Sequence, residues 1–134
     1  MKIQIIVMAL VVFLTSCASG PKEINYGDTG DGYVLFNDLV SNPDDYNLKK
    51  ICVKGIYLSG FESSTLGEST YERDGYLYLQ EPTIWIGSRD LVTEKCTEPE
   101  VRNSYSFCQA DVCGVFEYGE RYGHLGGYAY QIRH

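Results

Sequence analysis

The chain has 134 residues and a formal net charge of −7, a length that allows one domain. Eighteen acidic against 11 basic residues argue against nucleic acid, whose binding rests on neutralising phosphates with Lys and Arg. Five cysteines and two histidines are the whole supply for metal or thiol chemistry, and twelve tyrosines must help to build the core.

Met1-Lys2 is a short basic start, and residues 5–14 are an unbroken apolar run. As a helix this run rises about 15 Å, half of a ~30 Å hydrocarbon core, so it does not span a bilayer. With small residues behind it, it reads as a secretory signal over residues 1–16. The ending Leu14-Thr15-Ser16-Cys17 resembles the lipobox of bacterial lipoproteins. That resemblance implies a diacylglyceryl group on the Cys17 thiol, cleavage before Cys17, and a membrane partner reached through the lipid. One acyl chain anchors only marginally, so two or three make the attachment stable. In a Gram-negative organism Ala18 resembles an outer-membrane sorting position, which implies an outer-membrane lipoprotein facing the periplasm or the cell surface.

Cys52, Cys96, Cys108 and Cys113 remain, an even number in an exported chain, where disulfides are permitted and a small core gains from them. Zinc is disfavoured because no C-x-x-C pair occurs. Four cysteines allow three pairings, and spacing does not choose among them.

Residues 17–32, CASGPKEINYGDTGDG, form a flexible, solvated tether; the glycine and aspartate spacing does not match an EF-hand calcium loop. A domain over residues 33–134 follows. Asn37 is placed to cap a short helix carrying Leu39 and Val40, which Asn42-Pro43 ends, with Asp44-Asp45 in a turn. Residues 51–59 alternate around Gly55 as a strand that bulges or bends. Residues 60–74 are polar and read as a long loop or ragged hairpin. Period-two alternation marks strands at residues 76–79 and 83–87. Residues 88–104 are irregular, with one helical turn near Asp90-Leu91. Residues 109–118 form another strand, broken by Gly114, and residues 128–133 the last. The sum is an all-β domain with minor α content: a small five-stranded OB-like barrel with one short N-terminal helix and long loops. No helix is long enough for a βαβ unit.

The order Leu39-Val40, Asn42-Pro43, Tyr46, Lys50 to Gly55, Leu77-Tyr78-Leu79 and Gly123-His124-Leu125-Gly126 resembles a set of small bacterial envelope lipoproteins with an OB-like barrel. The resemblance covers roughly residues 34 to 132 and implies an architecture without catalytic residues. In such a barrel the two glycine-kinked strands are neighbours, which pairs Cys52 with Cys113 and leaves Cys96 for Cys108.

No P-loop, H-E-x-x-H or G-x-S-x-G motif occurs. His124, between glycines, reads as a turn-fixing residue, and no paired acid and base is evident. No catalytic residue, metal ligand or cofactor is therefore assigned. Tyr76 and Tyr78 share one side of their strand, as do Tyr128 and Tyr130 on theirs. They are either sheet packing or an exposed aromatic face suited to a glycan or an envelope protein. The expectation is a lipid-anchored, non-enzymatic binding or accessory module of the bacterial envelope. The alternative is an acidic inhibitor or shield that binds a cationic target such as a lysozyme, steered by net charge.

Overall fold

In residues 50–60 every second side chain is apolar or small, and in the computed structural model Ile51, Val53, Gly55 and Tyr57 are the buried ones. The structure describes residues 32–92 and 99–134. The expected signal, the lipidation position Cys17, the tether apart from Gly32, and Cys96 lie outside the described residues.

The chain order is β1 (Tyr33–Val34), α1 (Phe36–Ser41), α2 (Pro43–Tyr46), β2 (Lys50–Gly60), β3 (Ser63–Gly67), β4 (Thr70–Arg73) and β5 (Tyr76–Leu79). It continues with β6 (Ile84–Ile86), a 3-10 turn (Arg89–Leu91), β7 (Glu100–Arg102), β8 (Tyr105–Tyr122), a second 3-10 turn (His124–Gly126) and β9 (Tyr128–Arg133). The protein is predominantly β. Its main sheet has seven strands, ordered β1-β2-β3-β6-β9-β8-β7, with β8 also paired to β2. Five strands therefore pair in a ring, β2-β3-β6-β9-β8 and back to β2, and only the β6–β9 contact in that ring is parallel.

Three expectations need correction. The sheet is not a clean five-stranded barrel, because β1 adds in parallel to β2 and β7 adds to β8. There are two short helices, not one: Asn42 both closes α1 and opens α2, where Pro43 takes the first position, as its missing N–H allows. Asn37 is not a cap. α1 starts from Leu35 without a side-chain cap, and the Asn37 amide donates to Glu68 at 2.6 Å. The segment read as a long loop or ragged hairpin holds β3, which returns antiparallel along β2, and β4, which pairs with β5 as a separate two-stranded hairpin.

The β2–β8 ladder runs antiparallel from Lys50↔Val115 to Ser59↔Ser106. Its two glycines sit where one edge of each strand changes neighbour. β2 passes from β1, paired through Cys52 and Val53, to β3, which begins at Ile56. A Cβ on Gly55 would lie 2.7 Å from the Gly67 carbonyl oxygen, and one on Gly114 would lie 2.5 Å from that of Arg133. Neither strand could turn the corner with a side chain there. Cys52 and Cys113 face each other in this ladder and are disulfide-bonded. Cys108 is also disulfide-bonded, and Cys96, its expected partner, is outside the described residues.

Phe36 and Leu39, one helical turn apart on α1, join Val53, Leu66, Ile84, Ile86, Val112, Phe116 and Ile132 in one core. Full burial of each large aliphatic or aromatic side chain contributes roughly 1.5–3 kcal/mol. No helix among the described residues is long and apolar enough to cross a membrane.

Candidate functional site

Two tight turns set the walls of a cleft at one end of the ring. Asp74 and Gly75 both take positive φ, 55° and 79°, and join β4 to β5 in the geometry that favours Asp-Gly hairpins. Asn103 and Ser104, at φ 52° and 70°, do the same between β7 and β8. The first hairpin places Tyr71 directly opposite Tyr78, and their rings stack at 5.4 Å, with Tyr76 6.5 Å from Tyr78. The second delivers Tyr105, whose ring lies over Gly60 so closely that a Cβ there would come within 2.4 Å of it.

The third wall is the start of β9. The Tyr128 ring lies 5.2 Å from Trp85, and its hydroxyl accepts a hydrogen bond from Thr65 at 3.1 Å. Gly123, at φ 70°, makes room for both rings, since a Cβ would meet each at 2.6 Å. Beyond it the His124 imidazole stands 3.2 Å from the Glu62 carboxylate and ties the β8–β9 turn to the β2–β3 turn. Both side chains are exposed, at 42% and 50%, so this is a surface link and not a buried acid–base pair.

The cleft is open to solvent and its volume is about 800 Å³. Tyr71, Tyr76, Tyr78, Tyr105 and Tyr128 all line it, while Glu81 is its one carboxylate among the described residues. Tyr71, Tyr76 and Tyr105 are also the exposed tyrosines among the described residues, at 39%, 51% and 38%. Single exposed apolar residues are ordinary, but their convergence on one cleft is not.

The two same-side tyrosine pairs, read as either sheet packing or an exposed aromatic face, divide. Tyr76, Tyr78 and Tyr128 line the cleft. Tyr130 does not: its ring packs on Phe116 at 6.1 Å and its hydroxyl donates to the Val40 carbonyl at 3.3 Å, which sets it, partly buried, against the core. Sequence reasoning misses Tyr71, which falls in the segment read as a long loop or ragged hairpin, and Tyr105, which falls between the irregular residues 88–104 and the strand expected from residue 109. The two-residue turns Asp74-Gly75 and Asn103-Ser104 were the available signals.

Two polar clusters lie away from the cleft. On the outer face of the β2–β8 ladder, buried Asp111 accepts from the Tyr33 hydroxyl at 2.6 Å and faces the Lys54 ammonium at 3.5 Å. On β8 and β9, Glu117 accepts from Arg133 at 2.6 and 2.8 Å and from Gln131 at 2.5 Å. Those bonds, Arg133 first, hold the Glu117 carboxyl below the ordinary carboxylate value. Tyr118 donates to Asp44 at 2.6 Å, and that bond holds its phenol above the ordinary value.

No group of three His, Cys, Asp or Glu residues able to hold a metal occurs among the described residues. No family model, curated protein or solved structure matches the chain.

Proposed function

We propose that this chain is a lipid-anchored, non-enzymatic binding module of the bacterial cell envelope, with the tyrosine cleft as its working surface. The observation that carries the reading is the convergence of five tyrosines, three of them exposed, on one cleft. Amphipathic rings of this kind supply large contact area at low entropic cost and tolerate a wet rim. The ring of five pairings, with its single parallel contact, supports an OB-like barrel, a fold whose strand faces and loops commonly carry ligands. That support is fold-level analogy, so the function rests on the cleft. The inhibitor alternative would draw on an acidic pocket, whereas the cleft has one carboxylate among the described residues.

Attachment is tested by Cys17→Ala, which should release the protein from membranes or stall its processing; unchanged partitioning and mature mass would refute it. Binding is tested by crosslinking and recovery of the native lipoprotein from its own envelope. Replacing Tyr76 and Tyr105 together with Ser should abolish partner recovery while the far-UV circular dichroism stays unchanged. Undiminished recovery from a folded double variant would overturn the reading.

A further inference from the structure

We infer that the cleft takes an uncharged, N-acetylated saccharide chain, an inference that rests on the binding-module reading above. The lining decides the ligand class by charge and by surface type. It contains no lysine or arginine among the described residues, so it offers nothing to neutralise a phosphate, a sulfate or a nucleic-acid backbone. Two arginines stand nearby and are already partnered: Arg73 stands over the ring of the cleft residue Tyr78 at 5.3 Å, and Arg102 bonds Glu100 at 2.9 Å. Glu81, whose carboxylate accepts from Thr83 at 3.2 Å, is too little negative charge to select a polycation.

An acyl chain would be served by a wholly apolar lining, yet beside Leu58, Leu77, Leu79 and Leu125 stand five tyrosine rings that each carry a hydroxyl, with Asn103, Ser63 and Thr83 among them. The exposed rings of Tyr76 and Tyr105, each with its hydroxyl, suit a molecule that is apolar on its faces and polar around its edge. A pyranose is built in that way: its axial C–H bonds form a weakly positive face, which the negative face of a tyrosine attracts. Its equatorial hydroxyls can exchange hydrogen bonds with Asn103, Glu81 and the tyrosine hydroxyls around the cleft. Leu125 stands at the rim, 88% exposed, and gives an acetamido methyl an apolar contact that a plain hydroxyl cannot use.

The experiment is isothermal titration calorimetry of the full lipidated chain in detergent, with chitotetraose as the probe and cellotetraose as the unacetylated comparison. Trp85, the single tryptophan, touches Tyr128 and reports cleft occupancy by a fluorescence change. Chitotetraose should bind and cellotetraose should bind at least several-fold more weakly. Tyr76→Ala and Tyr105→Ala should each weaken binding about tenfold, the size of one lost ring contact. Leu125→Ser, at a side chain too exposed to matter for folding, should narrow the gap between the two sugars. No heat with chitotetraose, equal affinity for the two sugars, or binding indifferent to all three substitutions would each overturn the inference. If chitotetraose fails while partner recovery still depends on Tyr76 and Tyr105, the saccharide is wrong and the binding module stands. A recovered protein partner would then be the occupant. If recovery is also indifferent to those tyrosines, both readings fall.

Discussion

Removal of the Cys52–Cys113 bond should cost this domain a large part of its stability. The two cysteines are 61 residues apart in sequence, so the bond closes much of the domain into one loop. The chain-entropy relation for a loop of that length gives about 4 kcal/mol, acting almost wholly on the unfolded ensemble. In the folded state the β2–β8 ladder on both sides of the bond already holds the strands together, so Cys52→Ala/Cys113→Ala should leave the fold unchanged. For a domain of this size the loss lowers Tm by roughly 15–30 °C. The assay is urea unfolding under non-reducing conditions, followed by far-UV circular dichroism. The midpoint should fall and m should rise, because an unfolded chain freed of the loop exposes more surface. A loss under about 1 kcal/mol with m unchanged would show that the bond does not restrict the unfolded chain, and the entropic reasoning would fail.

Gly114→Ala puts a methyl 2.5 Å from a backbone carbonyl oxygen that cannot swing away, so a loss of about 1–3 kcal/mol is expected in the same assay; Gly75→Ala, with open space around it, serves as the comparison for strain at positive φ alone. Tyr130→Ala should cost about 2 kcal/mol or more because it strips a ring from Phe116, whereas Tyr76→Ala should stay within about 0.5 kcal/mol; equal losses would refute the division between core and cleft. Glu117 has a lowered folded pKa, so its contribution is full above the ordinary carboxyl value of about 4.5 and is lost as pH falls through the folded value. The gap in urea midpoint between the wild type and Glu117→Gln should hold from pH 7 down to about 4.5 and then close, and parallel curves down to pH 2 would contradict it.

The residues differ in how openly they announce their places. Gly55 and Gly114 were legible as bends, because a glycine inside a β-branched run has few other uses, and the kinked strands do carry a disulfide between them. β3 and β4 were not, since Ser, Thr and Glu cover them and their order comes from pairing with β2 and β5, not from their own propensity. Asn37 illustrates a local preference overruled: a distant carboxylate, Glu68, takes the amide that sequence alone would give to a cap. Tyr128 and Tyr130 share a periodicity, yet strand curvature sets one at the mouth and the other over the core. Period two reports a side of a strand, not its depth along a ring.

The topology also has a kinetic side. β6 meets β9 and β2 meets β8 across long stretches of the domain's sequence, whereas β8–β9 is a local hairpin. Closing the ring depends on the two distant pairings, so much of the free energy of the fold arrives late, after costly long-range loop closure. A nascent chain that has not yet delivered β8 and β9 has no ring to close. Were the chain exported unfolded, as the proposed envelope role requires, that delay would keep it in a state a narrow channel can pass, with assembly beginning on the far side.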